Sequence, residues 1–231
     1  MPIRQASTTD PLTPALLDAF ERTISIERWR TYQRAAGFND ELANRLYLWN
    51  ASVGQSFHFP LQTAEVALRN VSHRALGAIF GENWATDSAC RNQLNPKHAD
   101  DIVKAERRHF RIYGGSASTP QLVASLSLGF WVSLLRKDYT TRIWTTQLMS
   151  AFPHLEPGEG IHDVRKTATI IQDLRNRIFH QESLLGHDLS SDYAAISRML
   201  GWICPNTRDW MRRYSSVPKV IRERPRSSQS G

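Results

Sequence analysis

Apolar side chains recur at three- and four-residue intervals along most of this chain. No stretch of any length alternates with period two, so the pattern predicts helices and no strands. Ser25 opens the first clear helix as the N-cap of an imperfect capping box, with Arg28 where glutamate would be ideal, and Gly37 stops it. Asn39 or Asp40 caps a longer helix through Leu42, Leu46, Trp49 and Val53. Pro60 suits the first turn of a new helix, which carries Leu61, Ala64, Leu68, Val71, Ala75 and Ile79 on one stripe and ends at Gly81. After a polar stretch over 82–95, Pro96 opens another helix, closed by the loop Gly114-Gly115-Ser116. Thr119-Pro120 then starts a helix that is apolar nearly all round over 122–135, as a helix running through a core would be. A shorter helix over 143–152 precedes a loop marked by Pro153, Pro157, Gly158 and Gly160. Helices over 163–181, 192–202 and 208–214 complete an all-α bundle of about eight helices.

The same pattern sets the organisation. Residues 1–20 read as a partly ordered lead-in and 21–215 as one helical domain. Residues 216–231 are basic and polar without an apolar period, which predicts a disordered tail. No internal repeat is present.

Composition narrows the function. Hydrophobic residues make up 41% of the 231, enough for a substantial core. No apolar run reaches the roughly 20 residues of a membrane span; the longest, over 122–135, is interrupted by Ser125, Ser127 and Ser133. Residues 1–10 lack the basic-then-apolar pattern of a signal peptide. The expectation is a soluble cytoplasmic protein with no membrane partner. Cys90 and Cys204 stand alone, suggesting neither a disulfide framework nor a zinc site. The net charge of +7, with a pI near 9.8, favours a polyanionic partner, nucleic acid before membrane. The spacing of the seven tryptophans suggests helix packing rather than a platform for bases.

The chemistry gathers in Arg175-Asn176-Arg177-Ile178-Phe179-His180, an R-x4-H string. Asn176 and His180 are four apart and share a helix face, and Arg175 lies about 100° away around the helix. A forked guanidinium grips phosphate oxygens, and an imidazole moves protons near neutral pH. Asn176 can orient the histidine or bond the phosphate. With no carboxylate cluster and no second histidine at ligand spacing, neither metal nor cofactor is expected. The set fits RNA cleavage in which the 2′-hydroxyl attacks the adjacent phosphate and His180 acts as base or acid.

Arg175-Asn176-x-x-x-His180, late in an all-α chain, resembles the hallmark of the HEPN ribonuclease superfamily. The rest is similar to its Abi-like (abortive infection) family: Ile24 to Arg28 with Tyr32, Leu46 to Asn50, Ala64 to Asn70, Phe80 to Trp84, Leu128 to Leu135, Trp144, Phe152-Pro153, and Leu174 to His180, in order. That resemblance implies a helical bundle that dimerises and brings two R-x4-H motifs into one cleft. It further implies metal-free RNA cleavage in phage defence or as a toxin, in some members restrained by a neutralising RNA or protein antitoxin. Some HEPN proteins instead bind RNA or nucleotides without cutting, and that is the alternative function. A purely structural helical interaction protein is a third possibility; it leaves the basic balance unexplained.

Two further sets accompany the motif. Glu65, Arg69 and His73 are spaced by four on one face, and Arg69-Asn70-Val71-Ser72-His73 echoes the later motif one residue short. They read either as a Glu65→Arg69 ion pair beside a solvated His73, or as a face that adds charge to the cleft, with Glu65 orienting an arginine. Lys104, Arg108 and Arg111 form a stripe at i, i+4 and i+7, either a solvated face or phosphate contacts without sequence readout. Arg177 and, in the tail, Lys219, Arg222, Arg224 and Arg226 are additional candidates for holding RNA.

Overall fold

Ser25 caps its helix as expected: its hydroxyl accepts from the Arg28 backbone N–H, from a left-handed φ of 76°. Asn39, rather than Asp40, caps the next, taking the Leu42 N–H at 2.8 Å. The chain continues in this manner in a computed structural model that describes residues 13–226; the positions before and after, including the rest of the lead-in and tail, lie outside the described residues. The α-helices are α1 (Pro14–Phe20), α2 (Ile26–Ala35), α3 (Asp40–Phe80), α4 (Ser88–Gln93), α5 (Pro96–Tyr113), α6 (Thr119–Ser125) and α7 (Leu128–Ser133). They are followed by α8 (Lys137–Tyr139), α9 (Thr145–Ala151), α10 (Ile161–Phe179), α11 (Leu189–Ile203), α12 (Pro205–Tyr214) and α13 (Val217–Arg222). Glu21–Ser25 and Thr140–Trp144 are π-helical turns. No strand occurs among the described residues, and no helix there is long and apolar enough to cross a membrane.

The chain forms two compact units. The first comprises Met1–Pro60, Leu174–Tyr193 and Tyr214–Gly231; the second, Leu61–Asp173 and Ala194–Arg213. In the first, Trp29, Tyr32, Ala36, Ala43 and Leu46 form a core flanked by Leu17, Phe20, Tyr47 and Leu185. The second is built on aromatic edges. Trp84 meets Trp131 edge-on at 6.3 Å, Trp131 meets Phe130, and Trp144 meets Phe152. The Trp144 indole N–H is held by the Leu134 carbonyl at 2.7 Å and that of Trp202 by Glu159 at 2.6 Å. Six of the seven tryptophans are buried and only Trp210 is exposed, so they are packing residues, as their spacing implied.

Four expectations change. Pro60 does not begin a helix but lies inside the 41-residue α3, buried, at the point where the first unit gives way to the second along that helix. A proline there removes one i→i−4 bond, at the Ser56 carbonyl. The burial of Phe57, Leu61 and Ala64 around it supplies the helix with packing that propensity does not. The apolar run over 122–135 is two helices rather than one. Ser125 turns its hydroxyl back to the Leu122 carbonyl, Leu126 is extended, and Ser127 caps α7 through the Phe130 N–H. The polar stretch over 82–95 holds α4, anchored by fully buried Trp84, Ala85 and Cys90. Finally, the tail is not disordered over Val217–Arg222. Val217 is fully buried, and the Val220 carbonyl accepts the Trp49 indole N–H at 2.8 Å.

Candidate functional site

The last turn of α10 carries the R-x4-H string. The helix starts where Asp163 takes the Gly160 N–H at 2.9 Å, and it buries Val164, Thr167, Ala168, Ile171 and Leu174 along one stripe. Within the first unit Leu174 is buried and Ile178 lies against α3. A methyl group on Gly54 would sit 3.6 Å from Ile178 Cγ2, in ordinary contact. Helical rotation of about 100° per residue carries Asn176 and His180 to the side away from that stripe. Asn176 is half-buried and His180 exposed.

The end of the helix is built by hydrogen bonds rather than by glycine. The His180 N–H bonds the Asn176 carbonyl at 2.8 Å, the Gln181 N–H bonds Ile178 at 3.1 Å, and the Glu182 N–H bonds Arg177 at 2.9 Å. This is a Schellman closure, with His180 as C-cap and Gln181 in the left-handed position, φ 58°, that glycine usually fills. The following segment is tied down too: the Leu184 N–H meets the Asn50 side chain at 2.7 Å, and Ser183 hydrogen-bonds the Tyr32 phenol. His187 sits 3.6 Å from Asp192, whose carboxyl burial holds above the usual carboxylate value despite that histidine.

Arg175 is half-buried, its guanidinium carbon 4.2 Å from the centroid of the Phe179 ring. The arginine therefore leans along its own stripe onto a residue four positions on. Phe179 is 53% exposed and carries no polar group, so sequence reasoning passed it over. The i, i+4 spacing to Arg175 was the available signal. Arg177 pairs with Glu182 at 3.0 Å in an exposed ion pair.

Glu65, Arg69, Asn70 and His73 lie on α3 in the second unit. Glu65 and Arg69 are both half-buried. Asn70 is exposed. His73 is not a solvated ring: its Nδ1 accepts the indole N–H of buried Trp84 at 2.9 Å. Burial, and then Arg74, keep its pKa below the ordinary histidine value, and the bond requires an unprotonated Nδ1. The Lys104–Arg108–Arg111 stripe is likewise divided. Lys104 pairs with Asp100 at 2.6 Å and Arg108 donates to the Ser125 carbonyl at 3.0 Å. Arg111 is exposed, and its side chain makes no such bond among the described residues.

A histidine centre that the sequence did not signal lies in the second unit. His98 Nδ1 is 2.6 Å from Asn95 Oδ1 and 2.8 Å from the Tyr139 hydroxyl, and its Nε2 meets the Ser133 hydroxyl. A serine against a histidine resembles a nucleophile and its base. At 1% exposure, with Ser133 donating to the Phe130 carbonyl, the group has no route to substrate and serves as a buried polar tie. The two thiols differ: burial raises that of Cys90 to about 11, while the Thr207 hydroxyl lowers that of Cys204. No group of three or more His, Cys, Asp or Glu is arranged as metal ligands among the described residues. Compared with protein-family models, curated proteins and solved structures, the chain gives no match.

Proposed function

We propose that this protein is an endoribonuclease of the HEPN superfamily, close to its Abi-like members, which cleaves RNA without a metal through Arg175, Asn176 and His180. The observation that carries the reading is the end of α10. It presents an exposed imidazole five residues after a guanidinium braced on an aromatic ring, with the helix end closed by backbone hydrogen bonds. In the reaction the 2′-hydroxyl oxygen bonds to the adjacent phosphorus and the P–O5′ bond breaks. The 2′-hydroxyl proton passes to a base, and the departing 5′-oxygen takes a proton from an acid. His180 fills one of these roles. Arg175 holds the non-bridging oxygens, and Asn176 orients the imidazole or the phosphate. The second proton-transfer group comes from His180 of a second chain in a two-fold dimer. The biological setting is phage defence or toxin action, under an RNA or protein antitoxin.

The test is the chemistry of the products. Cleaved RNA should carry a 2′,3′-cyclic phosphate, or its hydrolysis product, upstream and a 5′-hydroxyl downstream. A 2′-deoxy sugar at the cut site should block cleavage there. A cut that persists at the deoxy position would refute the reading. Binding without any cutting would turn it into the non-catalytic RNA- or nucleotide-binding module.

A further inference from the structure

The free end of α5 departs from the economy of the rest of the second unit. Its first turns bury His98, Ile102 and Ala105. From Arg107 onward the helix runs out of the core, yet it keeps large apolar side chains. Phe110 is 64% exposed, Ile112 63% and Tyr113 72%. Arg107, Arg108 and Arg111 are interleaved with them, all exposed. On one side Arg107, Phe110 and Arg111 line a groove of about 780 Å³ with the Gly115–Ala117 loop. On the other, Arg108, His109, Ile112 and Tyr113 line a second of about 370 Å³. The His109 and Tyr113 rings lie 4.7 Å apart, tilted by 42°, so Tyr113 has an aromatic neighbour on its own helix.

The charge of this end is unbalanced. The one carboxylate lining the larger groove, Glu106, is held by Arg91, which also donates to the Ala85 carbonyl. The side chains of Arg107 and Arg111 make no ion pair or hydrogen bond among the described residues. Two unengaged guanidiniums four residues apart, with aromatic rings exposed beside them, are suited to a ligand that alternates anionic groups with flat apolar ones. An isologous contact with a second copy would bring like charges together.

We propose that the C-terminal end of α5 binds single-stranded nucleic acid, with bases stacked on Phe110 and Tyr113 and phosphates held by Arg107 and Arg111. Single strands are specified because a duplex keeps its base faces stacked on one another and offers none to a ring. The inference deepens the ribonuclease reading by naming the form of RNA delivered to it, and its test does not depend on cleavage.

Binding of a labelled, unstructured RNA oligonucleotide to His180→Ala protein is measured by fluorescence anisotropy, beside the same sequence as a duplex. The single strand should bind tighter. Phe110→Ala with Tyr113→Ala should weaken it by on the order of 100-fold, about tenfold for each ring. Arg107→Ala with Arg111→Ala should flatten the log–log dependence on salt by about 1.4. Thermal melting of each variant confirms folding, which substitutions at exposed positions leave intact. Unchanged affinity in the folded aromatic variant would overturn the proposal, as would equal binding of the duplex. So would a dimer that falls apart on Phe110→Ala while RNA binding persists, since the surface would then serve self-association. A wild-type protein that binds single strands here but cuts none sustains this inference and defeats the ribonuclease reading.

Discussion

Arg175 shows how much a single side chain's surroundings decide. A lysine at 175 would keep the charge but lose the planar fork that fits phosphate and the flat face that rests on Phe179. Arg175→Lys should therefore lower RNA cleavage by at least about 100-fold, of the order lost with one oriented transition-state donor, while melting changes little. Phe179→Ala removes only the brace. Its loss should be smaller, about 1 kcal/mol of transition-state stabilisation, from a looser arginine. Steady-state rates on one RNA check both, and equal activity of Arg175→Lys and wild type would contradict the role given to the fork. The R-x4-H string is visible in the sequence as a spacing pattern. The ring under the arginine was not, because an exposed phenylalanine carries no chemical signature until its neighbour is placed. Nor was the bond from Trp84 to His73, since it joins α3 to the turn after it.

At the scale of the helix, caps were legible wherever the signal was local. Ser25, Asn39, and Gly114 in its left-handed position all lie within four residues of what they bond. Continuity was less legible. Pro60 reads as a start, but buried neighbours carry α3 through it. An apolar stretch reads as one helix, but serine hydroxyls divide it. α13 has too few residues for a periodic stripe and is fixed by a carbonyl 171 positions from the Trp49 indole that it accepts. The closure of α10 gives the prediction proper to this scale. Gln181 occupies a left-handed conformation that costs a side-chain-bearing residue on the order of 1 kcal/mol. Gln181→Gly should raise stability by about that amount in urea unfolding, because the three closing bonds are all backbone. A fall in stability would show that the glutamine side chain, not the backbone closure, holds the turn.

The described residues are all-α, and their pH response follows from two histidines held in hydrogen bonds, one half-buried and one buried. His73 accepts from Trp84, and His98 is tied by Asn95, Tyr139 and Ser133. Burial is the chief reason that both titrate below the ordinary histidine value. Arg74 adds to this at His73; at His98, Lys97 and Arg136 act with burial and Asp101 against it. As pH falls through about 6.5 the unfolded chain takes up protons that the folded chain refuses, so their contribution to stability is full above that value and lost below it. Asp192 works in the opposite sense. Its carboxyl is raised by burial, so its contribution is full below the ordinary carboxylate value and lost as pH rises through its raised one. The melting temperature should fall between about pH 7.5 and about pH 5.5, and His73→Gln should reduce the fall. A flat profile would contradict neutral rings at these two positions. Above this scale stands the claim that the exposed end of α10 cuts RNA, and one measurement bears on it most directly. Purified protein is incubated with mixed RNA in EDTA beside folded His180→Ala protein. Fragments from the wild type alone are the predicted result; fragments from both, or cutting that EDTA stops and magnesium restores, would contradict it.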